Sequence, residues 1–210
     1  MRVLLAHHLP FRYGSIGHAT WELARQLRAA GHEVRCLAID GERQATDDPH
    51  VRLIVCRAND PEADLDLDVP DFSADDHAPL AFRSLSDRQL NGYRDVLRRH
   101  LDLELGDFDP HIVHAQHLWV FSHLALEAGV PYVVSAHSAE IDGYSADPRF
   151  RRLMQEAAEN AGRVLADDDR LLAALMATFG DLEGRARLVP ASVPELASLY
   201  AAIHLERFGP

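Results

Sequence analysis

Short apolar runs alternate with helical patterns along most of this chain. Runs of four to seven residues, the length of a buried strand, occupy residues 2–6, 33–39, 51–56, 111–115, 131–136, 163–166 and 186–189. Apolar residues at three- and four-residue steps predict helices over residues 16–30, 86–105, 118–128, 148–161, 168–179 and 194–207. Strands that alternate with helices form parallel sheets covered on both faces. The pattern therefore predicts an α/β, Rossmann-like parallel sheet of about seven strands in one domain.

The first predicted helix follows a glycine turn, Gly14 to Gly17, after the first strand. Ser15 is a good N-cap, because its hydroxyl can accept a hydrogen bond from a free backbone amide of the first turn. Gly31 suits the left-handed position that ends a helix. The buried face is predicted to consist of Ile16, Ala19, Thr20, Leu23, Leu27 and Ala30.

Composition and charge narrow the class of protein. The chain of 210 residues is 47% apolar with a net charge of −12, which argues against nucleic acid as the main partner. No apolar stretch approaches the ~18 residues of a membrane span, and the first apolar run is too short for a signal peptide. Cys36 and Cys56 lie in predicted strands, where buried free thiols and a cytoplasmic setting are expected.

An acidic stretch, residues 59–79, interrupts the alternation and is predicted to be a long surface loop. A calcium site is the alternative, but the glycine and terminal glutamate of an EF-hand loop are missing. The sequence predicts neither a metal nor a cofactor.

Three loops that follow strands should meet at one edge of the sheet, because ligands in such sheets bind beyond the carboxyl ends of the strands. These loops are residues 7–17, 114–117 and 135–140. The glycines of the first loop suit phosphate binding at a helix N-terminus. Their spacing departs from the G-x-G-x-x-G pattern of dinucleotide sites, so an NAD site that uses Asp40 and a simple helix-starting turn both remain open.

Histidines at the same edge are the main candidates for chemistry. His117 and His137 can serve as hydrogen-bond donors, general bases or metal ligands, whereas His114 lies within a strand and is expected in the core. A zinc hydrolase, with His7, His8 or Glu140 as a third ligand, remains an alternative without a recognised ligand spacing. No G-x-S-x-G nucleophile motif is present, and Ser135 is interpreted as a strand-end residue.

Four segments resemble, in the right order, the N-terminal half of GT-B glycosyltransferases of the large retaining group called family 4. HATWELARQLRAAGHEV (18–34) is similar to that family's first helix, which follows a G-G-[IV] loop. DFDPHIVHAQHLW (107–119) resembles its PDVVHxHxxW strand, and GVPYVVSAHSAEI (129–141) resembles xxPxVxTxHGTDL. RARLVPASV (185–193) resembles KxxVxPNGVD, where the family's N-terminal domain meets its donor domain.

The resemblance implies a set of site residues. The family's glycine loop corresponds to Gly14 and Ser15, and its strand histidines correspond to His114, Gln116 and His137. The catalytic candidates are thus His117, His137 and Gln116. The candidates for substrate binding are Arg12, Tyr13, Gly14, Ser15, His114 and Glu140.

Several positions depart from the family pattern. Gln116 stands where a histidine usually orients the substrate, although His117 is adjacent. Ser15 and Ser138 replace glycines, and Ala191-Ser192 replaces Asn-Gly. The family's donor half, with its E-x-7-E motif, is not matched.

The resemblance also implies that acceptor and donor are bound by different domains. Residues 1–193 are expected to form the acceptor-side domain, and a helix over residues 194–210 should pack back on it. The acceptor is a sugar-containing or small molecule, and a nucleotide-sugar donor binds only with a second domain. This chain alone is therefore expected to be inactive and at most weakly dimeric. A non-catalytic binding or regulatory module on the same scaffold is the alternative.

Overall fold

A computed structural model describes residues 1–10, 14–43, 46–72, 80–180, 182 and 184–209. Its strands are β1 Arg2–His7, β2 Glu33–Asp40, β3 Val51–Val55, β4 Pro70–Asp71, β5 Leu80–Ala81, β6 Ile112–Ala115, β7 Tyr132–Ser135, β8 Arg163–Ala166 and β9 Ala186–Leu188. Seven of them form the parallel main sheet in the order β3-β2-β1-β6-β7-β8-β9, and β4 and β5 form a separate pair. The predicted fold class is therefore confirmed.

Helices cover both faces of the sheet and enclose one hydrophobic core on each face. Because side chains of a strand alternate, Leu4 lies in one core whereas Val3 and Leu5 lie in the other. The helices are α1 Gly14–Ala29, α2 Asp87–Phe108, α3 Phe121–Ala128, α4 Ser138–Ala146, α5 Pro148–Asn160, α6 Asp169–Phe179 and α7 Val193–Phe208. Helices α1 and α7 cover the core that contains Val3 and Leu5, which is called the second core.

Helix α1 differs in detail from the prediction. It begins at Gly14, so Ser15 lies inside its first turn and the predicted N-cap role of Ser15 is wrong. Thr20 and Leu27 are buried as predicted, whereas Ala19 is exposed and Ala30 lies beyond the last residue of the helix and is exposed. The helix ends as predicted, with Gly31 at φ 86° and backbone hydrogen bonds that close its last turn. The buried stripe consists of Gly17, Thr20, Ala24 and Leu27.

In its described part the acidic stretch begins as the predicted surface loop, with Asn59, Glu62 and Asp66 exposed. Its later residues are buried, because Leu67 and Val69 join the hydrophobic core just before β4. Three of its aspartates accept hydrogen bonds from backbone amides that precede them, which explains their density. These bonds join Asp64 to Val55, Asp66 to Asn59 and Asp68 to Ala58. Residues 73–79 lie outside the described residues.

Two helices depart from their predicted positions. Helix α3 begins at Phe121, because Leu118 to Val120 form a buried connection after β6. Helix α4 was not predicted, since Glu140 is its only fully buried residue and it has no apolar stripe. Helix α7 packs on the second core through Leu196, Leu199, Tyr200 and Ile203.

Candidate functional site

The carboxyl ends of three adjacent strands bring the predicted loops together. His7 ends β1, Gln116 and His117 follow β6, and His137 follows β7. Strand β6 lies between β1 and β7. The loops are tied directly, because His137 Nε2 donates to the Gln116 carbonyl at 2.9 Å and the Gln116 amide donates to the Ala6 carbonyl at 2.9 Å.

Three imidazole rings pack around that of His117. Its ring centroid lies 4.0 Å from that of His8, 5.1 Å from His7 and 5.0 Å from His137. His7, His8 and His117 are at most 4% exposed, and the His137 side chain is 14% exposed. These four histidines together with Glu140 are called the rim cluster.

Glu140 joins the two loops that carry His117 and His137. It is the third residue of α4, where its Oε2 accepts a hydrogen bond from the His137 amide at 3.0 Å. Its Oε1 lies 3.3 Å from His117 Nδ1. Burial raises the pKa of Glu140 well above 4.5, although the backbone amides of residues 137, 118 and 119 favour the carboxylate. The group is therefore a buried hydrogen-bonding link in its neutral form.

The histidines of the rim cluster are neutral for the same reason. Burial lowers the pKa of His7 and of His117 well below 6.5, and repulsion from neighbouring imidazoles adds to the effect. Burial lowers the pKa of His8 to about 3. Burial also lowers the pKa of His137, against the attraction of Asp167, whose carboxylate lies 4.0 Å from Nδ1. A neutral imidazole offers one donor and one acceptor, which suits hydroxyl groups of a ligand.

Several polar atoms in and beside the rim cluster are buried without a hydrogen-bond partner. They are His117 Nε2, one amide atom of Gln116 and Trp119 Nε1. Buried polar groups are almost always satisfied by protein, water or ligand. Their concentration at one edge marks the place where a polar ligand or ordered water completes the structure.

The structure separates the other predicted site residues from this cluster. His114 faces the second core, where its two ring nitrogens contact Tyr200 and Ser135. Gly14 and Ser15 lie in the first turn of α1, and Ser15 is exposed. Arg12 and Tyr13 lie outside the described residues.

Sequence reasoning missed two contributors to the site. Trp119, 0% exposed, is buried two residues after His117, and the sequence offered only its place in a family motif. Asp167, directly after β8, faces His137 from the next strand, and no pattern in the sequence indicates this contact. Within the described ranges, no group of three or more His, Cys, Asp or Glu residues could hold a metal ion.

A groove of about 440 Å³ lies at the opposite edge of the sheet and has a structural explanation. Two of its arginines bind backbone carbonyls at helix ends: Arg185 donates to Glu159 in α5, and Arg207 donates at 3.0 Å to Gly129 after α3. Cations stabilise these ends because they compensate the helix dipole. Across the described part of the chain, no helix is both long and apolar enough to cross a membrane.

Several solved structures share the fold of this chain. Sucrose-phosphate synthase from Thermosynechococcus elongatus aligns with a TM-score of 0.63 and 15% identity, over 90% of this chain and 48% of that one. The lipopolysaccharide outer core galactosyltransferase WaaB aligns at 0.54 and 10%, over 92% and 47%. UDP-GlcNAc 2-epimerase from Neisseria meningitidis, bound to UDP-GlcNAc, aligns at 0.51 and 13%, over 90% and 46%. The chain thus spans about half the length of these proteins.

Sequence comparison gives the family. No curated protein sequence matches the chain. The model of the glycosyl transferase 4-like domain matches residues 14–192, which include the motifs around β6, β7 and β9. The chain therefore belongs to the glycosyl transferase 4-like domain family and has the fold of the N-terminal, Rossmann-like domain of GT-B glycosyltransferases.

Proposed function

We propose that this chain is the acceptor-binding half of a retaining glycosyltransferase that uses a nucleotide-sugar donor. The observation that carries the proposal is the rim cluster, in which His117 and His137 are held together at the carboxyl edge by Glu140. Neutral imidazoles can orient or deprotonate an acceptor hydroxyl. In this proposal, His117, His137 and Gln116 contact the reacting groups, and the first turn of α1 approaches the donor phosphates.

The proposal assigns sugar transfer to two domains acting together. Catalysis requires donor and acceptor in one geometry, which one half of a GT-B fold cannot impose. The 210-residue chain alone is therefore expected to transfer no sugar from UDP- or GDP-sugars. Robust turnover by the purified chain would contradict this division. Two buried free cysteines, Cys36 and Cys56, agree with the cytoplasmic setting proposed for the reaction.

Binding can be tested on the isolated chain by backbone amide NMR. Millimolar sugar acceptors are expected to shift the amides of residues 116–119 and 137–140. The substitution His117→Gln should weaken binding about tenfold, because it removes a ring held among three others. His50→Gln is the matched control, since His50 is exposed and precedes β3 at the opposite edge. Shifts confined to other loops, or equal effects of both substitutions, would leave only a scaffold that binds elsewhere.

A further inference from the structure

Three side chains from three different elements form a buried chain of hydrogen bonds beneath the carboxyl edge. The Tyr200 hydroxyl of α7 lies 2.6 Å from His114 Nδ1 in β6. His114 Nε2 lies 2.9 Å from Ser135 Oγ at the end of β7. Tyr200 is 1% exposed, His114 2% and Ser135 8%. Residues distant in sequence thus connect the C-terminal helix to the edge that carries the rim cluster.

The protons of this chain can be assigned by counting donors. Burial lowers the pKa of His114 to about 3, so its ring is neutral and carries one N–H. Burial raises the pKa of Tyr200, so the phenol keeps its proton. In the described part of the structure that proton has no acceptor other than His114 Nδ1. Tyr200 therefore donates to Nδ1, the ring proton sits on Nε2, and Nε2–H donates to Ser135 Oγ. The opposite tautomer leaves a phenol proton buried without an acceptor, which is costly.

This arrangement leaves the Ser135 hydroxyl proton unused. Its oxygen accepts from His114, and the described residues provide no acceptor for its own O–H. Ser135 is the last residue of β7 and stands beside Gln116 in the continuation of the β6–β7 register. Gln116 is 6% exposed, approaches Thr20 in α1 at 3.4 Å, and has one amide atom without a partner. A directed donor and an unsatisfied amide therefore lie side by side near the first turns of α1.

We propose that Ser135 is a ligand-binding residue whose hydroxyl donates to an anionic oxygen, phosphate or carboxylate, and that Tyr200 is a positioning residue that keeps Ser135 in this donor state through His114. The anionic class follows from the N-terminal end of α1, a helix of 16 residues whose dipole favours negative charge at this edge. The inference rests on the proposed function only in placing a ligand at the carboxyl edge. The proton assignment stands on the hydrogen-bond geometry of the three side chains and on the neutral state that burial gives them.

The proton assignment is tested first, on the free chain. Nitrogen-15 NMR of the imidazoles should show the His114 proton on Nε2 over the neutral pH range. Tyr200→Phe should shift the Nδ1 resonance and produce a mixture of tautomers. Tyr132→Phe is the matched control, because Tyr132 is also buried and its hydroxyl donates to the Ala157 carbonyl at 2.7 Å, away from the edge. A wild-type proton on Nδ1 would overturn the assignment and with it the proposal.

Ligand binding is tested with inorganic phosphate, acetate and methyl α-glucopyranoside, followed through the amides of residues 135–137. Phosphate or acetate is expected to bind, and Ser135→Ala should weaken that binding about tenfold. Tyr200→Phe should weaken it about threefold, Ser135→Thr should restore it, and Tyr132→Phe should leave it unchanged. The two anions separate a phosphate from a carboxylate ligand.

Three outcomes overturn the proposal. They are no binding of either anion, equal binding in Ser135→Ala, and binding of the neutral glucoside with the same dependence on Ser135. They remain distinguishable from failure of the proposed function, which is read from His117→Gln and sugar acceptors. Anion binding that does not depend on Ser135, together with acceptor binding that depends on His117, rejects only the present inference.

Discussion

Two buried glutamates, in two regions of the molecule, show how structural and functional polar groups differ. Glu104 of α2 is 2% exposed, and both of its oxygens are engaged by arginines: Arg35 at 3.2 Å and Arg52 at a shorter distance. Glu140 is 1% exposed and contacts no arginine among the described residues; its neighbours are backbone amides and a neutral imidazole. Arginines compensate the buried charge of Glu104, whereas Glu140 and the imidazoles beside it are neutral.

The two glutamates have different partners because they connect different parts of the fold. Glu104 ties α2 to β2 and β3, and its arginines remain about one third exposed, so water shares the cost of burying the charge. Glu140 ties the loop of His137 to the loop of His117, whose Nε2 lacks a hydrogen-bond partner. An arginine at Glu140 would fix the carboxylate and occupy space beside His117 and His137.

Acidification is expected to have the largest effect, because protonation of the histidines of the rim cluster lowers the free energy of unfolding. Their folded pKa values lie below the unfolded value of 6.5, so the unfolded chain binds more protons below that pH. Stability is therefore complete above about pH 6.5 and falls as the pH decreases, down to about 3 for His8. Each such histidine lowers the free energy of unfolding by about 2 kcal/mol at pH 5, so a loss of several kcal/mol is expected.

Urea unfolding at pH 7, 6 and 5 measures this loss. His8→Gln should reduce the slope by about one proton, roughly 1.4 kcal/mol per pH unit. The exposed His50→Gln serves as the control and should leave the slope unchanged. A wild-type stability that is constant from pH 7 to pH 5 would show that these rings are protonated in the folded protein.

Replacing each glutamate by glutamine compares the two sites at pH 7. Glu104→Gln leaves two arginines without their carboxylate and should lower the free energy of unfolding by about 2–3 kcal/mol, less than a fully buried pair because the arginines are partly exposed. Glu140→Gln should cause no loss at pH 7 and should raise the free energy of unfolding, because the folded protein holds Glu140 neutral whereas the unfolded chain ionises it.

The pH dependence of Glu140→Gln sharpens the same test. The folded pKa of Glu140 is raised, so its contribution is present below pH 4.5 and is lost as the pH rises. The glutamine, which does not titrate, should therefore match the wild type at pH 4 and gain stability relative to it at pH 7. Equal losses for Glu104→Gln and Glu140→Gln at pH 7 would remove the distinction between the sites.

Salt gives the smallest expected effect. At 1 M ionic strength the Debye length is about 3 Å, so the partly exposed arginines beside Glu104 are screened. The cost of Glu104→Gln should then fall by about 0.5–1 kcal/mol, whereas the effect of Glu140→Gln should not change. Urea titrations with and without 1 M sodium chloride measure both values. A larger salt effect at Glu140 would indicate a carboxylate there.

Local pattern was sufficient to predict the main sheet, because its central strands are buried and appear as short, mainly apolar runs. It was insufficient where tertiary contacts decide. Helix α4 is held by the Glu140 link to its N-terminus and by Gly143, which packs against Phe72; neither signal has a helical period. Asp64 and Asp68 suggested a solvated loop, yet they bind backbone amides from a segment before them.

The sequence was sufficient to predict where the site lies, but only some of the residues that form it. Residues that directly follow parallel strands emerge at one edge, which brings His117 and His137 together. Their burial, and the participation of Trp119, depend on packing that no short segment encodes. The contact of Tyr200 with His114 joins residues 86 positions apart, and the sequence contains no pattern for it.

The strand order has a consequence for synthesis on the ribosome. Strand β1 pairs with β2 on one side, but its other partner is β6, with Val3 opposite Ile112. While the chain is being made, β1 to β3 can associate early, yet an apolar edge of β1 stays open until more than a hundred residues have emerged. Such edges pair readily with other chains. Nascent chains of this protein are therefore most vulnerable to aggregation between the completion of β3 and the arrival of β6.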